Sequence, residues 1–560
     1  MPTPSRQAWF LIAATLLLLL CGSSTLPLID RDEPRFAEAT REMMTRHNWL
    51  VPTFNGDYRF DKPPLTYWAM SVFYRLGGVN ELTARLHSIL STLVLVLVLY
   101  AAGRRWFSGT VGFAAAFGFI TSLQVLLHGR LSVADMPMVL AVAVAQFTLF
   151  EILSGAEEDK KGRHCRFWTL YLALAAGFLA KGPITLAVPL LTALLYRFAF
   201  WRKPLPWARL RIGWGLLLVL SLVGLWGIPG LIETHGLWWK VGMGEHVIDR
   251  GYGALNSRSW FAPYYLLSAL LSYFPWVAFA GYGVLVLRRN WNEKNAFLLS
   301  WFLAPYLIFT FYATQLPHYI LPAFPAFFLI LAQAIEFPAP LPRWPRFIAG
   351  GVFGLFFLLF AALVTIIAAA PWTTELRPFR IALIGLAAVL GGLLALGLLC
   401  GLGKRTQAKG AVLLVALGFL LLGAGLRPIL PALPVAEIAA SLPPDARCIG
   451  YGFTEGSLIF YTNRHWILMN DPAEFTAEMA KPGPALIVVL DRETRIDSVL
   501  KWLPRRLLGL PATLKVDSRL PDSEHPTPSI LLSPNNRKTS VSGINFARAS
   551  WVTVTILVRE

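Results

Sequence analysis

The feature that most constrains this chain is a succession of about thirteen apolar stretches, most of them long enough to cross the hydrocarbon core of a bilayer. They fall near 9–26, 83–102, 109–127, 133–154, 167–181, 183–200, 212–230, 261–287, 295–313, 317–336, 346–370, 379–402 and 411–427. A hydrocarbon solvent offers no partner to an open backbone, so such stretches must close their hydrogen bonds internally, as helices. Of 560 residues, 56% are apolar and only 15% charged, which excludes an ordinary soluble globular domain. The sequence therefore predicts a polytopic α-helical membrane protein. The fifth and sixth stretches are short and separated only by Lys181-Gly182-Pro183, so one re-entrant hairpin is an alternative there.

The net charge of +18 would suit a nucleic-acid partner if it formed a continuous stripe. It does not. The basic residues stand in short clusters at Arg104-Arg105, Lys160 to Arg166, Arg202 to Arg211, Arg288 to Lys294, Arg343 to Arg346 and Lys404 to Lys409. Those are six consecutive alternate connections, which is how topology is written into a membrane protein. The expectation is a membrane protein with a cytoplasmic N-terminus and its other loops on the outer side. A cleaved signal peptide is the alternative for the first stretch, with Arg6 ahead of a Leu-rich run, and cleavage would leave the next loop on the same side. Cys21, Cys165, Cys400 and Cys448 are scattered without disulfide or metal-ligand spacing.

The chemistry gathers in the first outer loop. Asp30-Arg31-Asp32-Glu33-Pro34-Arg35-Phe36-Ala37-Glu38 follows the first apolar stretch, where carboxylates this dense need water or a polar cavity. Pro34 suits the first turn of a helix, with Asp32 or Glu33 placed to cap it. Beyond it Phe36, Ala39, Met43 and Met44 recur at helical spacing, with Arg35, Glu38, Arg41, Glu42 and Arg46 opposite, as in a helix lying along the membrane plane. Glu38 and Glu42 read as ordinary solvated charges. A second cluster, Tyr58-Arg59-Phe60-Asp61-Lys62-Pro63-Pro64-Leu65-Thr66-Tyr67-Trp68, follows on the same side.

Together these two motifs resemble the first extramembrane loop of the bacterial arm of the protein O-mannosyltransferase family. The likeness covers roughly the first 340 residues, and nearest within the family stand the lipid A aminoarabinose transferases. It implies the GT-C glycosyltransferase fold and a sugar donor carried on undecaprenyl phosphate. Asp32 matches the acid that serves such enzymes as base or acceptor-positioning group, Glu33 stands beside it, and Asp135 in Ser132-Val133-Ala134-Asp135-Met136-Pro137 resembles the second acid. For Asp135 a helix N-cap is the plain alternative. Arg35, Asp61, Lys62 and Lys181 fall among the matching substrate-binding positions, with interfacial snorkelling the alternative for Lys181.

Glu245-His246-Val247-Ile248-Asp249-Arg250 matches a Glu-His-x-x-x-Arg pattern, and Arg250 offers a bidentate fork to phosphate. At Leu316-Pro317-His318-Tyr319-Ile320-Leu321-Pro322 the aminoarabinose transferases read Ser-Lys-Leu-Pro-Thr-Tyr-Ile-Leu-Pro, so Gln315 stands for their Lys and His318 for their Thr. His318 can restore part of that cation. Asp61 likewise stands for their Glu.

From about Pro434 the chain changes to compact β-like runs at Cys448 to Tyr451, Ala485 to Leu490 and Val552 to Val558. The expected organisation is a transmembrane catalytic domain over 1–433, with outer loops 27–82 and 231–260 bearing amphipathic helices, and a small periplasmic α/β or α+β domain over 434–560. The reading is a membrane glycosyltransferase acting on lipid A, with a protein hydroxyl or another envelope glycan as alternative acceptors. A flippase or transporter would carry its charges near mid-span, whereas here they gather at the outer ends. Nothing in the residues demands a cofactor; a divalent metal on Asp32, Asp61 and His246 is the alternative to fixed cations.

Overall fold

The structure, a computed structural model, describes residues 3–154, 160–249, 261, 263–337, 342–369, 377–495, 537–545, 548 and 550–559. Among them seven helices are long and apolar enough to cross a membrane, from Glu81–Trp106 to Thr406–Ile429. An eighth arises if Tyr264–Ser272 and Trp276–Arg289, bent by 111° at their break, form one span. Other expected stretches fold as shorter apolar helices, Pro4–Leu20, Gly109–Ile120 and Ile184–Phe200, so a count of thirteen crossings is not established by length and composition. The protein is a multi-pass membrane protein.

Sequence punctuation sets these ends. Asn80 heads Glu81–Trp106 through a reciprocal capping box with Thr83, and Arg104 and Arg105 close it at the negative end of the helix dipole. Lys160–Lys181 and Ile184–Leu194 are separate helices, broken where Gly182 takes φ +87°, a conformation only glycine adopts without strain, before Pro183. Asp135–Leu153 is the most enclosed span, with 78% of its apolar window buried. Whatever sits at its head is fixed by the core of the bundle.

The last part of the chain builds one five-stranded sheet in the order Trp466–Met469, Arg447–Tyr451, Ala485–Arg495, Ser550–Arg559, Arg537–Asn545. Its first three strands run parallel and the last two antiparallel to their neighbours. The central strand is covered on both faces: Leu486, Val488 and Leu490 point to one apolar cluster, and Ala485, Ile487 and Val489 to another containing Phe475 and Met479. The helix Ala432–Ala440, across the expected boundary at 434, sends Ala432, Val435 and Ala439 into the first cluster.

This sheet is seated on the first loop. The helix Glu33–Thr45 has Pro34 in its first turn, and its charged face is largely covered, with Glu38 buried, Arg41 and Glu42 half-buried and only Arg46 exposed. Arg41 pairs with buried Glu38 and donates to the carbonyls of Phe460 (3.1 Å) and Ile459 (3.3 Å), closing the helix Gly456–Thr462 against it. Glu42 holds a hairpin, accepting from Thr53 Oγ1 (2.5 Å) and the Asn55 N–H (2.6 Å). The hairpin turns on Asn55-Gly56, both at positive φ. Asn55 then exchanges two hydrogen bonds with the Trp466 backbone and so covers the start of an edge strand. The expectation of solvated acids at Glu38 and Glu42 is corrected: both are structural, because a segment over 400 residues away in sequence covers them.

Candidate active site

The first loop, the head of the enclosed span and the turn near 314–319 meet around a cavity of about 950 Å³. Asp32, Glu33, Arg35, Asp61, Lys62, Asp135, Lys181, His318 and Tyr319 all line it. Arg250 lies outside the described residues, as does the side chain of His246.

The acids divide by what holds them. Asp32 precedes the helix with helical backbone angles and makes no capping hydrogen bond, so its exposed carboxylate remains available to the cavity. Glu33 does not cap either. It forms a two-pronged pair with Arg85, at 2.9 and 2.8 Å, the two side chains 2% and 0% exposed. Its oxygens also accept from the backbone N–H of Ile29 (2.8 Å) and of Ser132 (2.9 Å). Arg85 spends its remaining donors on the carbonyls of Ser23, Leu26 and Pro27. With its lone pairs committed, Glu33 is better suited to holding the loop than to chemistry, which revises the role expected for it.

Asp135 is the first residue of its helix and does not cap it. It accepts from Lys181, and His318 Nε2 lies 3.9 Å away. Lys181 also stands 5.7 Å from the Tyr319 ring, in cation–π range. Both plain alternatives, the cap and the snorkelling lysine, give way to one ion pair at the cavity wall.

Arg59 was not anticipated. It is buried against Asp61 (2.9 Å) and the Tyr67 hydroxyl (3.3 Å), with its guanidinium over the Phe36 ring. An arginine inside the aromatic-acid-Lys-Pro motif was the available signal. Lys62 donates to the Asp61 carbonyl (2.9 Å). Arg35 keeps a buried Nε without a hydrogen-bond partner among the described residues, and burial together with neighbouring Arg59 lowers its pKa from the usual arginine value. That Nε–H is a buried donor with room for an acceptor. For metal ligation the structure brings together His128, Asp135 and His318, whose donor atoms lie within 4.8 Å of one another. Asp32 and Asp61 join no such group among the described residues, since Asp61 is engaged by Arg59.

The helix Gly456–Thr462 is tied to the cavity wall through Asp30, which accepts from the Ser457 N–H (2.9 Å). Burial, and then Glu455, raise the Asp30 carboxyl to about 7, against the opposing pull of Ser457 and Arg35. A carboxyl that holds its proton more tightly folded than unfolded contributes stability below about pH 4, which is lost as the pH climbs to 7. Asp30→Asn keeps an acceptor and removes the charge. In detergent it should melt with the parent at pH 4 and above it at pH 8, by less than about 4 kcal/mol; equal melting at both values would contradict the buried-charge account.

These side chains can neutralise a phosphate and present a free carboxylate beside it. Residues 61–226 match the family described as dolichyl-phosphate-mannose-protein mannosyltransferase. Over that stretch the chain is similar to that family. Undecaprenyl phosphate-alpha-4-amino-4-deoxy-L-arabinose arabinosyl transferases of Enterobacter sp. (strain 638) and Aeromonas salmonicida (strain A449) are each 30% identical to this chain over the matched residues. Each match covers 65% of this chain and 66% of the relative, just under two thirds of its length. The crystal structure of ArnT from Cupriavidus metallidurans bound to undecaprenyl phosphate superposes with a TM-score of 0.73 at 19% identity, covering 98% of this chain and 97% of that one. The apo oligosaccharyltransferase of Archaeoglobus fulgidus gives 0.54 at 13% identity, covering 86% and 69%. The fold is GT-C.

Proposed function

We propose that the chain is a glycosyltransferase that takes a sugar from undecaprenyl phosphate and attaches it to a phosphate of lipid A, with aminoarabinose as the sugar. The observation that carries this reading is the cavity itself, which Arg35, Arg59, Lys62 and Lys181 line together with the Asp32 carboxylate, a group that caps no helix. The names of the relatives at 30% identity support the donor. In the reaction an acceptor oxygen bonds to the anomeric carbon as its bond to the donor phosphate breaks, and the electron pair leaves on undecaprenyl phosphate. Cations fixed beforehand stabilise that leaving charge. Arg35 and Lys62 supply it most directly, while Asp135 aims Lys181.

Arg35→Ala and Lys62→Ala should each slow transfer by at least about tenfold, since a charge-assisted contact contributes roughly 1.5–3 kcal/mol. Full turnover by both variants would remove phosphate binding from this cavity. The reading also sets the site on the periplasmic face of the inner membrane. A reporter active only outside the cytoplasm should then work when fused after Pro434 and fail after Arg166; the reverse pattern would overturn the placement. Mass spectrometry of lipid A from a host with and without this protein tests the acceptor: an added sugar on phosphate is expected only when the protein is present.

A further inference from the structure

Two histidines converge on Asp135 from separate parts of the chain. His128 ends the short helix Leu123–His128, and His318 lies in the turn that opens Pro317–Ala323. Their rings stand 4.8 Å apart at 31°, and their donor atoms and a carboxylate oxygen of Asp135 all fall within 4.8 Å of one another. An ion pair between Lys181 and Asp135 would need neither ring.

We infer that His128, Asp135 and His318 form a transition-metal site in the wall of the donor cavity, in which the metal and the Lys181 ammonium compete for Asp135. Two imidazoles and one carboxylate suit Zn²⁺, Co²⁺ or Mn²⁺ rather than Mg²⁺ or Ca²⁺, which prefer oxygen alone. Three protein ligands leave a position open, and all three side chains line the cavity. Tetrahedral ligation at bond lengths near 2.0–2.1 Å sets donors about 3.3 Å apart, so the donor atoms need to close by up to about 1.5 Å.

An outer contact is already in place. Gln124 lies 3.0 Å from His128 Nδ1, and the other end of its amide lies 3.4 Å from the Ser272 hydroxyl, which can either donate or accept. Turned so that its oxygen accepts from Nδ1–H, that amide leaves Nε2 as the ligand, the arrangement by which second partners orient metal-bound imidazoles. Displaced from Asp135, Lys181 at the end of its helix borders the cavity and can turn to the donor phosphate. The inference goes beyond the transferase reading, because it concerns the metal alone.

The test uses the full-length protein in detergent, stripped with a chelator and titrated with Co²⁺ in the absence of any sugar donor. One Co²⁺ per chain with visible d–d absorption is expected. His128→Asn and His318→Asn should each weaken binding by about a hundredfold or more, and Lys181→Met should tighten it by removing the competing ammonium. If the parent binds no more Co²⁺ than the double histidine variant, or binds it independently of both histidines, the site does not exist. Should the histidine variants fail to fold, Lys181→Met decides: tighter binding supports the inference and unchanged binding overturns it. Loss of the metal site would leave transfer by fixed cations untouched, so the two readings fail separately.

Discussion

Asp32→Asn is expected to lower transfer by roughly ten- to a hundredfold, by the same factor at every pH across the neutral range. The substitution removes a charged hydrogen-bonding group worth roughly 1.5–3 kcal/mol. It takes away no required proton transfer if the acceptor is a phosphate monoester, which is already largely ionised near neutral pH. Asp32 is the acid to test because its carboxylate is exposed to the cavity and committed to no cap. A hydroxyl acceptor would behave otherwise. Removing its general base costs on the order of a hundred- to ten-thousandfold, so a loss above about a thousandfold that recovers toward high pH would move the acceptor to a sugar or protein hydroxyl.

Glu33→Ala should act on the fold. It leaves the Arg85 guanidinium buried beside three carbonyls with its counter-charge gone, and removing one partner of a buried pair costs about 3–5 kcal/mol. Thermal melting in detergent should show a sharply lower midpoint or no folded protein. The double variant Glu33→Leu with Arg85→Met should recover much of the loss, since an apolar pair of similar volume leaves no charge stranded. If Glu33→Gln melts like the parent yet transfers nothing, Glu33 belongs to the chemistry after all.

These two acids, one residue apart, show what the sequence could convey and what it could not. Local rules located the helix after Pro34, the break at Gly182-Pro183, the strands near 448, 485 and 552, and the loops that wall the cavity. They could not separate Asp32 from Glu33, because the difference lies in Arg85, 52 residues onward inside an apolar stretch. That arginine was itself a signal, since a charge within a spanning helix needs a partner. Glu38 and Glu42 misled for a similar reason. Helical periodicity correctly gave two faces, but whether the charged face meets water depends on Gly456–Thr462 and Trp466, far along the chain. His128 carried no local mark, and only the packing of its short helix beside the turn at His318 brings the two rings together.

The central claim is that this cavity moves a sugar from undecaprenyl phosphate to lipid A. The most direct measurement incubates the purified protein with undecaprenyl-phosphate-linked aminoarabinose and lipid A and follows both lipids by mass spectrometry. The account predicts lipid A bearing the sugar on phosphate and an equal amount of free undecaprenyl phosphate, both falling together in Lys62→Ala and Asp32→Asn. An intact donor and unmodified lipid A in the presence of folded parent protein would contradict it.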